Sequence, residues 1–180
     1  MCIRDRGATR QSIDLGIAEG TPYGDGHLVG IAWVSMLGSD ILIHGGFLHG
    51  MYLEPHPFLL SPDRAFRLIP LGYLSFLILA ALLVWLATRF ETRGFGAGAR
   101  LGLVLGAATW ASMTVGLLSV TTAPLSLMLG WFIGQTLALG IAGGVVGAAR
   151  SGVSRRTLWT RVLGWCGAAM FLAALLQNLP

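Results

Sequence analysis

The stretch Leu68-Ile69-Pro70-Leu71-Gly72-Tyr73-Leu74-Ser75-Phe76-Leu77-Ile78-Leu79-Ala80-Ala81-Leu82-Leu83-Val84-Trp85-Leu86-Ala87-Thr88 carries no charged side chain. A helix rises about 1.5 Å per residue, so about 20 residues cross the hydrocarbon core of a bilayer. This stretch is therefore long enough to span a membrane by itself. Three further runs are also apolar and long enough to span, the first with one acid, Asp40: Leu28–Leu53, Leu101–Ala123 and Leu125–Ala149. A fifth segment, Leu158–Leu179, has a shorter uncharged core at Val162–Leu176, which Arg161 can extend by snorkelling. It lacks the strongly polar face of a surface-lying helix, so a fifth span is expected. Backbone groups in lipid must bond within their own segment, which leaves helices or a closed barrel. Barrel strands alternate apolar and polar residues, and these runs do not. The expected fold is all-α: a multi-pass transmembrane helical bundle of four or five spans over residues 28–180.

Composition agrees. Of 180 residues, 54% are hydrophobic and only 11% are charged. Soluble domains carry about 25% charged residues. Mean hydropathy is +0.72. The net charge of +4 comes from 12 basic residues, all Arg, gathered in short stretches between apolar runs. That placement describes membrane topology and excludes a nucleic-acid surface. Cys2 and Cys166 form neither a disulfide framework nor a CxxC motif.

The opening Met1-Cys2-Ile3-Arg4-Asp5-Arg6 looks like a read-through peptide from a translated metagenomic fragment. Residues 1–27 are expected to be a disordered or non-native leader. The first apolar run is too long for the h-region of a signal peptide.

Arginine placement sets the expected orientation. The second loop holds Arg89, Arg93 and Arg100, and the fourth holds Arg150, Arg155 and Arg156. The first holds Arg64 and Arg67, and the third holds none. Loops two and four should face the cytoplasm, with the N-terminus inside. Trp33, Trp85, Trp131 and Trp159 fall near span ends, as interface anchors do. Trp110 is nearer a span centre and reads as packing. Pro70 is expected in the first turn of the second helix, where its missing N–H is harmless.

Lipid tails are as apolar as leucine, so spans associate through small residues. The chain has 26 Gly. Gly102/Gly106, Gly130/Gly134, Gly140/Gly144 and Gly143/Gly147 have i,i+4 spacing, as does Gly46/Gly50. With the tight link Thr121-Thr122-Ala123-Pro124, they predict that the third and fourth spans are close antiparallel neighbours. The same glycines could also form the face of a homo-oligomer.

The chemistry-bearing residues cluster in the first run. Asp40 lies near its middle, where insertion of a charge costs about 2.5–3.5 kcal/mol. His44 is one turn along on the same face. Together they form a candidate intramembrane proton or cation site, with a buried packing pair as the alternative. His49 lies roughly opposite Asp40 on a straight helix. A weak candidate metal set combines His49, Glu54 and His56, since imidazole and carboxylate suit zinc-like ions. The four histidines all lie in or beside the first run, which disfavours a haem held between helices. No constellation for nucleophilic or aspartyl catalysis is present. Gly94-Phe95-Gly96-Ala97-Gly98 superficially suggests a phosphate loop, but no strand precedes it. It reads as a flexible cytoplasmic turn.

The segment Arg89-Phe90-Glu91-Thr92-Arg93-Gly94-Phe95-Gly96-Ala97-Gly98-Ala99-Arg100-Leu101-Gly102-Leu103-Val104-Leu105-Gly106 resembles one in uncharacterised bacterial four-helix membrane proteins. There, a similar Gly-rich turn links the second and third helices. The first-helix His, the tight third link and the Gly-rich fourth helix are also similar. The resemblance spans about Leu28–Ala149 and implies topology only.

The expected function is that of a non-enzymatic integral protein of the bacterial inner membrane, an accessory or structural component surrounded by lipid. The alternative is a small oligomeric proton-coupled carrier or channel subunit using Asp40 and His44. No cofactor is expected.

Overall fold

The structure is a computed structural model, which describes residues 23–53 and 57–179. Among these, the elements are α1 (Asp25–Asp40), a π-helical segment (Ile41–Phe47), α2 (His49–Leu53), α3 (Pro62–Arg89), α4 (Phe95–Val120), α5 (Leu125–Ala149) and α6 (Arg155–Gln177). Five helices are long and apolar enough to cross a membrane: Asp25–Phe47, Asp63–Arg89, Phe95–Val120, Leu125–Ala149 and Arg155–Gln177. The all-helical multi-span architecture is as the apolar runs predict, and the fifth segment is one of these helices.

Several boundaries differ from the sequence expectation, each for a local reason. Residues 23–27 belong to the fold, and the rest of the expected leader, residues 1–22, lies outside the described residues. Tyr23 is buried, stacks on His27 with ring centroids 5.4 Å apart, and donates its hydroxyl to the Val153 carbonyl. Burial raises the Tyr23 phenol above its ordinary pKa, with Arg155 opposing, so the hydroxyl remains a donor. His27 in turn accepts from Trp159 Nε1 at 3.1 Å and meets Arg155 at 3.1 Å, tying the start of α1 to α6.

The run Leu28–Leu53 is not one straight helix. It passes from α1 into the π-helical segment at Ile41 and breaks at Leu48 (φ −96°, ψ 0°). Its tail folds separately as α2. Gly45 and Gly46 lie in the π segment, where their missing side chains lower the cost of a distorted ladder.

Pro70 sits inside α3, not in its first turn, because the helix begins at Pro62. Pro70 removes one backbone bond to the preceding turn. Residues Phe66–Pro70 are all exposed, so that turn is free to find other donors. The Gly94–Gly98 segment is likewise not a flexible turn. Only Gly94 lies outside α4, at φ +92°, a conformation that favours glycine. Gly94 N donates to Gly147 O, and Arg150 donates to Thr92 O and Thr88 Oγ1, both at 3.1 Å. The α3–α4 turn is thereby stitched to the end of α5.

The bundle is organised around α5 and the first span. α4 lies along α5, α6 crosses the first span, and α3 packs on α1. The tightest seam joins α4 and α5. A Cβ on Gly98 would stand 2.0 Å from the Gly143 carbonyl oxygen, and one on Gly102 would stand 2.1 Å from that of Leu139. Real Cβ atoms do not approach that closely, so these backbones touch only because the side chains are absent. Thr121 closes α4 by donating to Leu117 O at 2.8 Å, and α5 follows Pro124 directly. This hairpin is as the sequence predicts.

The glycine assignments divide. Gly102, Gly106, Gly140, Gly143, Gly144 and Gly147 meet α4–α5 partners. Gly130 and Gly134 do not: their missing side chains make room for Leu48 and Ile43 of the first-span region. Gly46 faces Leu176 and Ala173 of α6, while Gly50 faces open space. Gly38 accommodates Cys166. Its partner in spacing is Gly46, eight residues on, and together they let α6 approach the first span.

Candidate functional site

Asp40 closes α1 and His44 lies in the π-helical segment, so both project from one turn of the first span. His44 Nε2 stands 3.2 Å from Asp40 Oδ1. The expected pairing is present. The third member was not singled out from the sequence. Gln135 of α5, 2% exposed, places Nε2 at 2.7 Å from Asp40 Oδ1 and 2.9 Å from His44 Nε2. A glutamine in the middle of an otherwise apolar run was the available signal.

A fourth and fifth residue fix the far side of the imidazole. The Tyr52 hydroxyl bonds His44 Nδ1 and accepts from Trp131 Nε1. Tyr52 belongs to α2, so the break at Leu48 is what returns it to His44. Trp131 is therefore part of this network rather than a simple interface anchor.

The three close atoms form a triangle that can share a proton, its count set by the imidazole tautomer. Gln135 Nε2 can donate to an ionised Asp40 and to an unprotonated His44 Nε2 at once. In that state Asp40 Oδ1 and His44 Nε2 are two acceptors facing one another. Either a proton taken up between them or the imidazole tautomer that carries its hydrogen on Nε2 removes the conflict. With Asp40 ionised and His44 neutral the group carries −1, and uptake of one proton brings it to 0. Only one amide hydrogen of Gln135 is then needed, for the Asp40 oxygen.

The group is not sealed. The side chains of Asp40 and His44 retain 16% and 26% of their accessible surface. Both line a cleft of about 260 Å³ with Gly72, Ser75 and Phe76 of α3, Trp110 and Met113 of α4, and Trp131 and Gln135 of α5. The cleft lies where α3 and α4 diverge, since these helices touch little. Gln135 is ten residues along α5, about 15 Å from its first residue. Trp110, expected as packing, is a wall of this cleft, and its buried Nε1 has no protein partner. Gln135 Oε1 is also buried without a partner.

The weak metal set is not assembled by the described residues. Glu54 and His56 lie outside them, and His49 is half-buried on α2. Among the described residues no three His, Cys, Asp or Glu side chains come together.

No protein-family model matches the chain, and no curated protein or solved structure is significantly similar to it.

Proposed function

We propose that this chain is a multi-pass protein of the bacterial inner membrane that uses Asp40, His44 and Gln135 as a proton-exchanging site of a small carrier. The observation that carries the reading is the Asp40–His44–Gln135 triangle opening on a cleft between α3, α4 and α5. An ionisable residue within a span is costly and points to a proton or ion path. A packing pair would gain nothing from a cleft, whereas an exchanging site requires one. The accessory reading keeps Asp40 and His44 as packing groups, and the open cleft weighs against it.

The arginine distribution supports a topology with the α3–α4 and α5–α6 turns on the cytoplasmic side and the N-terminus also inside. A reporter fused after Gly152 should read cytoplasmic, and a periplasmic signal there reverses the topology.

The test of the site is infrared difference spectroscopy of the protein in lipid, titrated from acid to alkaline pH. One buried carboxyl band should appear on acidification and vanish in Asp40→Asn. His44→Gln should move its midpoint while leaving the band present. A carboxyl that never titrates, or a titration unchanged in Asp40→Asn, defeats the proposal.

A further inference from the structure

Building on the proton-exchange reading, the geometry points to a small lipophilic amine, bound in its ammonium form, as the occupant of the Asp40 cleft. The inference begins with the walls. Phe76, Trp110, Trp131 and Met113 are apolar or aromatic, and among the described residues Asp40 is the one acid that lines the cleft. No arginine among the described residues lines it. An anion would be repelled by the Asp40 carboxylate, and a neutral hydrocarbon would add nothing to the Gln135 and His44 contacts that this carboxylate already has. A cation balances its charge, and aromatic walls favour a cation further.

Gln135 selects among cations. Its Oε1 is an acceptor with no partner in the protein, on a side chain 2% exposed that lines the cleft. Oε1 is enclosed, so an ammonium N–H serves both it and the Asp40 carboxylate once the Gln135 amide turns toward the cleft. A quaternary ammonium has no N–H and leaves Oε1 orphaned. A hard metal ion wants about six oxygen ligands, more than one carboxylate and one amide provide.

Size sets the body of the ligand. Pockets for drug-sized molecules run from about 300 Å³ upward, and this cleft is about 260 Å³. One ring with a short aminoalkyl chain fits that space. The titratable groups around the ammonium are Asp40 and His44, with Tyr52 behind His44 and Tyr73 on α3.

The exchange balances in charge. With the triangle protonated, arrival of the ammonium leaves an Asp40 anion paired with it and releases one proton. Proton return to the triangle neutralises Asp40 and weakens the hold on the amine.

Calorimetry on the full chain in detergent, with phenethylammonium as the probe, tests this. Running it in two buffers of different ionisation heat counts protons released. Saturable binding with release of one proton is expected at acid pH. Asp40→Asn should weaken it at least about thirtyfold, the scale for truncating one partner of a buried charge pair. Gly72→Leu places a side chain at the cleft wall, where a Cβ meets nothing within 4 Å. It should weaken binding while leaving the Asp40 infrared titration in place, and it covers the case in which Asp40→Asn fails to fold. Benzyltrimethylammonium should bind more weakly, and 2-phenylethanol should not saturate. Absence of saturable phenethylammonium binding, with the Asp40 titration intact, overturns this inference and leaves the proton site standing. Equal binding by 2-phenylethanol, or binding indifferent to both substitutions, also overturns it. Saturable, Asp40-dependent binding without proton release keeps the amine site and defeats the proton-exchange reading.

Discussion

Gln135 holds two acceptors with one amide nitrogen, so its removal exposes both. Gln135→Leu keeps the volume and deletes the donor. It should destabilise the protein by about 1–3 kcal/mol, the cost of leaving a buried polar group unsatisfied. Thermal unfolding in detergent measures this, and an unchanged midpoint removes Gln135 from the network. Tyr52→Phe is a milder test. It deletes the hydroxyl that joins His44 to Trp131 and should cost about 0.5–1.5 kcal/mol. It should also shift the midpoint of the Asp40 infrared band, because the far imidazole nitrogen loses its partner. A Tyr52→Phe titration that overlays the wild type would show that α2 plays no part in the site. Asp40 and His44 were legible from their spacing and their place in an apolar run. Gln135 and Tyr52 were not, because nothing in the order of residues says which helix faces Asp40. Trp131 misled for a related reason: its distance from the span end suits an anchor equally well, and only the return of Tyr52 gives its indole N–H a partner inside the protein.

At the level of elements, the seam between α4 and α5 makes the sharpest stability prediction. Gly143→Ala would bring a methyl within 2.3 Å of the Gly98 carbonyl oxygen. The helices must separate, and a loss of about 2 kcal/mol or more is expected by analogy with overpacked cores. Gly116→Ala, in the same helix pair but with nothing within 4 Å, should be neutral or stabilising by up to about 1 kcal/mol. Equal effects from the two would mean that α4 and α5 do not meet through their glycines. The cap of α6 is a separate test. Ser154 Oγ accepts from Thr157 N at 3.2 Å, and Ser154→Ala should cost about 1 kcal/mol. The glycine spacing foretold the seam because close backbone contact leaves an i,i+4 record in one helix. It could not assign Gly130 and Gly134 to the first span, since every pair carries the same record whatever its neighbour. The π-helical segment was equally hidden: Gly45-Gly46 permits a distorted ladder but does not demand one.

Over the whole molecule, burial is uneven in a way that hydrogen exchange can read. α5 has the largest share of buried residues among the spans, and its C-terminal half from Ala138 to Ala149 is almost entirely enclosed. The first two turns of α3, by contrast, are exposed along Asp63–Pro70. Amides of Ala142–Val146 should therefore exchange last, and those of Arg64–Ile69 among the first. The reverse order would mean that α5 is not the centre of the bundle. Continuous apolar runs made the span count readable because lipid leaves the backbone few options. Loop geometry was less so, since Pro70 and the Gly94–Gly98 stretch carry turn chemistry that the surrounding helices override.

The backbone contact between Gly98 and Gly143 has a mechanical consequence. Two rods that touch without intervening side chains have little freedom to slide or part, and the Gly94–Gly147 bond pins one end of the pair. The α4–α5 hairpin should therefore move as a single body. Any widening of the site entrance falls to the helix on the other side, α3, whose hold on α4 is slight. In the carrier proposed above, α3 would pivot on its packing with α1 against a fixed pair, and the glycines set which part stays still.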